Sequence, residues 1–197
     1  SYTGAASTPL ASLTPPKRKG NRRAGILIAL LATIVYAAVY AGVAGAIISY
    51  NVSMAQWAKV LGQFVTNPAF YIPVASFGIA LILIVLIVNR AGWWAYVLGG
   101  FLVAVIVYAA TILGAYVAVH GWTFSANQVS DFVGSLVMDP LTIAGALVAR
   151  EVTIWMGAWI GGRGHKVKVG NRVEREEYDH KIMVDAPVIQ YSGGPSY

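Results

Sequence analysis

No cysteine occurs in the 197 residues, and charged residues make up only 11% of them. The first absence excludes a disulfide framework, a thiol nucleophile and any cysteine-ligated metal. The second falls far below the roughly 25% charged residues of a soluble domain. Histidine is scarce too, at three residues, with no H-x-x-x-H pair that could seat zinc or haem from one helix face. No Ser/His/Asp arrangement is legible. Gly161-Gly162-Arg163-Gly164 lacks the Lys-Ser/Thr ending and the strand–loop–helix setting of a phosphate loop. With these parts missing, neither an enzyme nor a bound cofactor or metal is expected.

What is present is apolar. Hydrophobic residues reach 57%, and mean hydropathy is +0.65. A core of this size cannot hide so much apolar surface from water, so lipid must solvate much of the chain. Four long apolar runs cover about residues 24–50, 68–88, 92–119 and 140–161. Each meets the roughly 20 residues needed to cross a ~30 Å hydrocarbon layer at 1.5 Å per residue. The first run follows a basic stretch, as a signal peptide would. It is too long for that segment and lacks a cleavage site before a soluble domain, so it reads as a true span.

Formal charge is +6, and its placement indicates orientation. Lys17, Arg18, Lys19, Arg22 and Arg23 precede the first run, Arg90 lies between the second and third, and Arg163, Lys166 and Lys168 follow the fourth. The first-to-second connection carries only Lys59, and the third-to-fourth has Asp131 and Asp139 but no base. All the basic flanks share one side if both termini face the cytoplasm of a plasma-membrane protein. The five N-terminal bases are then candidates for binding anionic headgroups, a better reading than nucleic acid so close to a span. Trp93, Trp94 and Trp159 fall at expected inner ends of spans, and Tyr50, Trp57 and Trp122 at outer ends, as in aromatic belts.

The chain also repeats itself. Ile34-Val35-Tyr36-Ala37-Ala38 recurs as Ile106-Val107-Tyr108-Ala109-Ala110, an offset of 72 residues. At the same offset Gly42, Ser53, Gln56, Gly62, Val65 and Pro68 meet Gly114, Ser125, Gln128, Gly134, Val137 and Pro140. Matches of Ala, Val and Ile between apolar helices are common by chance, whereas Ser, Gln, Gly and Pro across a loop are not. Ser53-x-x-Gln56 and Ser125-x-x-Gln128 both read as capping boxes. Each precedes a short apolar face, including Trp57 and Phe64 in the first and Phe132 and Leu136 in the second. Asn67-Pro68 and Asp139-Pro140 read as an N-cap and first helical residue.

The expected fold is therefore an all-α membrane protein with four transmembrane helices. They form two tandem parallel-repeat hairpins, each with a short outer amphipathic helix. Residues 1–23 are a cytoplasmic tail without apolar periodicity, 24–90 and 91–162 the two hairpins, and 163–197 a second cytoplasmic tail. Within that tail, alternation around Gly170-Asn171 predicts a small β-hairpin. The outer helices either cap the bundle in the interface or offer Trp57, Phe64, Phe132 and Leu136 as a docking platform.

One polar feature stands out. Arg150 and Glu151 lie about ten residues into the fourth span, roughly 15 Å deep at 1.5 Å per residue. A charge there costs roughly 2.5–3.5 kcal/mol on insertion scales. Adjacent helical residues diverge by about 100°, so the two are expected to seek other partners: a tyrosine (Tyr36, Tyr40, Tyr108 or Tyr116), a carbonyl, a ligand or another subunit. The leading expectation is a non-catalytic integral subunit of a larger membrane complex, contacting other membrane subunits and anionic lipid. The alternative is a small transporter or channel that uses Arg150 and Glu151.

Overall fold

A computed structural model describes residues 22–88 and 94–185. They fall into two compact units, a bundle ending at Arg163 and a tail beginning at Gly164. Six α-helices appear among the described residues: α1 (Arg22–Ser49), α2 (Met54–Val65), α3 (Pro68–Ile87), α4 (Trp94–Ala118), α5 (Ala126–Val137) and α6 (Pro140–Asp185). Four of them, α1, α3, α4 and α6, are long and apolar enough to cross a membrane. The protein is a multi-pass, all-helical membrane protein.

The helix starts follow from local chemistry. The Asn67 side chain accepts from the Ala69 amide at 3.0 Å, and Pro68 opens α3, where no amide partner is needed. The Asp139 carboxylate accepts from the Leu141 and Thr142 amides at 2.9 and 3.1 Å. A negative charge at this end also complements the helix dipole. At α5 the expected capping box of Ser125 and Gln128 is present, with the Gln128 side chain reaching back to accept from the Ser125 amide at 2.8 Å. The box expected at Ser53 is absent: Ser53 has N-cap geometry but makes no side-chain cap bond. Here Trp57 secures α2 instead, its Nε1 donating to the Gly45 carbonyl at 2.8 Å.

The bundle closes as a ring. α3 packs along α1 and α4. α6 completes it between α4 and α1. The Tyr36 and Tyr40 hydroxyls of α1 donate to the Gly145 and Leu141 carbonyls of α6, both at 3.3 Å. On the other side, Gly157 of α6 admits the Tyr96 ring of α4, which a Cβ would strike. Gly114 lets α4 pass the α3 backbone, where an added Cβ would come within 2.7 Å of the Pro68 carbonyl. Small residues thus permit close approach where lipid provides no hydrophobic drive between helices.

Aromatic rings fill the interior. Tyr36 stacks on Phe77 with centroids 4.4 Å apart, and Tyr40 stacks on Phe70 at 5.6 Å. Phe64, from α2, meets both Tyr40 and Phe70 edge-on. Leu81, Val103 and Val107 close the rest of the core, fully buried.

The tail corrects one expectation. Residues 166–175 are helical, part of α6, and no strand occurs among the described residues. Gly164, Val167, Asn171, Glu174, Tyr178 and Ile182 are the half-buried positions, spaced three or four apart as on one helix face. A helix already formed by the span extends without the cost of nucleation, and that outweighs about 1 kcal/mol lost at Gly170. Arg172 and Glu176, one turn apart, add an ion pair at 2.8 Å.

Candidate functional site

The span of α6 turns its backbone toward α4 at Arg150. A Cβ on Gly100 would come within 3.4 Å of the Arg150 carbonyl, and Thr153 packs in the same place. Backbone contact on that side sends the Arg150 side chain outward. Glu151 also points outward, and its neighbours Val152 and Thr153 are buried. The two charges therefore share the outer face of the bundle, with side chains 45% and 54% exposed.

They also pair with each other, which the sequence reading did not expect. Arg150 Nη1 donates to Glu151 Oε1 at 2.7 Å. The 100° divergence applies to the Cα–Cβ bonds. The long arginine stem can swing across it when nothing on the outer face competes. A short, charge-assisted bond results.

Three of the four tyrosines considered as partners for Arg150 and Glu151 are engaged elsewhere. Tyr36 and Tyr40 bond to α6 carbonyls, and the Tyr108 hydroxyl donates to the Val137 carbonyl at 2.7 Å. Along the outer face, Leu147 precedes Glu151 by one turn and Trp155 follows by one turn, both more than half exposed. Trp159 extends the exposed aromatic surface one turn further. Sequence reasoning had assigned Trp159 to the interface belt and had not singled out Leu147 or Trp155. The period-four spacing from Glu151 was the available signal.

The outer-helix residues have varied placements. Trp57 and Phe64 are held by their own bundle, through the Gly45 carbonyl and the Tyr40–Phe70 rings. Phe132 lies edge-on to Phe124 at 5.9 Å, and Leu136 is half-buried. Among the proposed headgroup ligands, Lys17, Arg18 and Lys19 lie outside the described residues. Arg22 opens α1, and Arg23 is exposed beside it.

No group of three or more metal-ligating side chains gathers among the described residues. Glu177 and His180 stand three apart on the exposed tail helix without a third ligand in such a group. The arrangement offers no nucleophile beside a base. What it offers is a paired cation and anion, with apolar and aromatic neighbours, on a helix face turned away from its own bundle. No family model, curated protein or solved structure matches the chain.

Proposed function

We propose that this protein is a non-catalytic integral subunit of a larger membrane complex, where it braces or docks other subunits and binds anionic lipid. The carrying observation is the outward-facing Arg150–Glu151 pair, ten residues into α6 from Pro140. Hydrocarbon cannot satisfy the remaining donors of the guanidinium or the second carboxylate oxygen. Protein from another subunit can.

The transporter alternative needs these two residues to line a path. Within one bundle they face away from the interior, and that interior is filled by Tyr36, Tyr40, Phe77, Leu81, Val103 and Val107. The docking reading is therefore the stronger one.

The same proposal includes a duplicated hairpin with both termini in the cytoplasm. Its support is the matching of elements at one offset. α2 and α5 each hold 12 residues, from Met54 and Ala126, and Pro68 and Pro140 open the returning helices α3 and α6. The outer helices then cap the bundle, with the basic clusters at the opposite, anionic surface.

Isolation from native membranes in a mild detergent tests the subunit reading. Further subunits should accompany the chain in fixed ratio, and Arg150→Gln with Glu151→Gln should reduce the recovery of whichever subunit covers this face by tenfold or more. Isolation as a stable monomer containing no other protein would overturn it.

A further inference from the structure

We infer that the α6 face bearing Arg150 and Glu151 is the contact between two copies of this chain. This rests on the reading that protein covers that face in the membrane, and it names the protein.

The argument begins with unmet bonding capacity. A guanidinium has five N–H donors and no acceptor, and a carboxylate accepts through two oxygens. The internal pair uses Arg150 Nη1 and Glu151 Oε1, at 2.7 Å. With the side chains 45% and 54% exposed, donors and an acceptor oxygen remain turned outward. Whatever covers them must offer an acceptor next to a donor, at the same depth.

A twofold axis along the membrane normal meets this requirement with no further condition. It brings a second Arg150 and Glu151 to the same depth but in opposite order across the contact. Each guanidinium then faces the other copy's carboxylate, and the face is complementary to itself. A lipid phosphate fits less well. It belongs at the headgroup level, about 15 Å away along the helix, and could answer Arg150 but not Glu151. A foreign subunit would need its own acid and base at matching positions.

The neighbouring residues suit a helix-to-helix contact. Leu147 and Trp155 lie one turn to either side of Glu151 and are exposed. Ala158, also exposed, is small enough to let two α6 helices approach. The contact is an apolar stripe interrupted once by a charged quartet.

The cysteine-free sequence makes the test direct. Leu147→Cys and Ala158→Cys, each introduced alone, leave the charged pair intact. Oxidised in native membranes, they should yield a disulfide-linked species of twice the chain mass. Leu83→Cys, exposed on α3, should not. In the Leu147→Cys background, Arg150→Glu should cut this species at least tenfold, as should Glu151→Arg. Co-expression of the two, differently tagged, should restore it as a mixed dimer. Three results would overturn the inference. Linking of Leu147→Cys only to a chain of different mass would reject the second copy but leave the larger-complex reading standing. Absence of any linked species from both variants would reject the second copy, the one partner certain to bring a matching thiol, and would leave the larger-complex reading to the co-isolation test. Linking between copies that is indifferent to the charge changes would remove the pair from the contact.

Discussion

Tyr36 and Tyr40 put two hydroxyls inside a largely apolar bundle, which also buries Thr111, Thr142 and Thr153, and each donates to a carbonyl of α6. A helix carbonyl has a second lone pair to give, so the bond costs α6 nothing of its own ladder. Such interhelical bonds in a membrane average about 0.6 kcal/mol. Tyr36→Phe should therefore destabilise the fold only by about that amount. Tyr36→Ala, which empties the stack on Phe77, should cost about 3–5 kcal/mol. Unfolding in mixed micelles with increasing dodecyl sulfate measures both, and near-equal losses would mean that the hydroxyl, not the ring, holds α1 to α6. Glycines differ in the same way. Gly157→Ala places a methyl against the Tyr96 ring and should cost about 1–3 kcal/mol by overpacking. Gly162→Ala meets nothing and should not destabilise in the same assay. The sequence offers the tyrosines only as possible partners for Arg150 and Glu151. Periodicity gives the spacing of residues along a helix but not the helix's rotation against its neighbours. Rotation decides which tyrosine meets which carbonyl, and which way Arg150 points.

The elements themselves were far more legible. Asn67-Pro68 and Asp139-Pro140 mark the starts of α3 and α6 because capping chemistry is local: one side-chain oxygen and one amide two residues on suffice. The apolar runs mark α1, α3 and α4 because hydrocarbon permits no unsatisfied backbone. The misreading of residues 166–175 arose where two periods compete. Valines at 167, 169 and 173 fit alternation, whereas 167, 171, 174, 178 and 182 fit a helix, and only continuity with the span decides between them. Nitroxides placed one at a time from Val167 to Ile182 discriminate the two. Mobility should fall with a period near 3.6, with minima at Val167, Asn171, Glu174 and Tyr178. Alternation with period two would restore the hairpin. α2 and α5 show a milder difference, since equal lengths conceal different fastenings. Gln128 holds the start of α5, whereas Trp57 ties α2 to α1 through Gly45. Under the proposed duplication, two copies of one design diverge in this way once each half packs against a different neighbour.

At the scale of the whole molecule, the proposed duplication and the charge placement make one demand together. A repeat of two spans per unit must return the chain to the same side before the second unit begins, so equivalent connections lie on one surface. Asn51, between α1 and α2, and Thr123, between α4 and α5, are 72 residues apart and both exposed. Lys181, exposed on the tail helix, follows the last span in sequence, and the proposed topology assigns it to the opposite surface. In that proposal the basic residues around the spans make the second surface the cytoplasmic one. Asn51→Cys and Thr123→Cys should therefore react with a membrane-impermeant maleimide in intact cells, and Lys181→Cys only after permeabilisation. The absence of native cysteine keeps the background low. If all three sites exchanged sides together, the orientation would reverse and the duplication would stand. Labelling of Asn51→Cys and Thr123→Cys from opposite surfaces would be more damaging. It would mean that α3 and α4 do not both cross, and the two hairpins could not be copies of one unit.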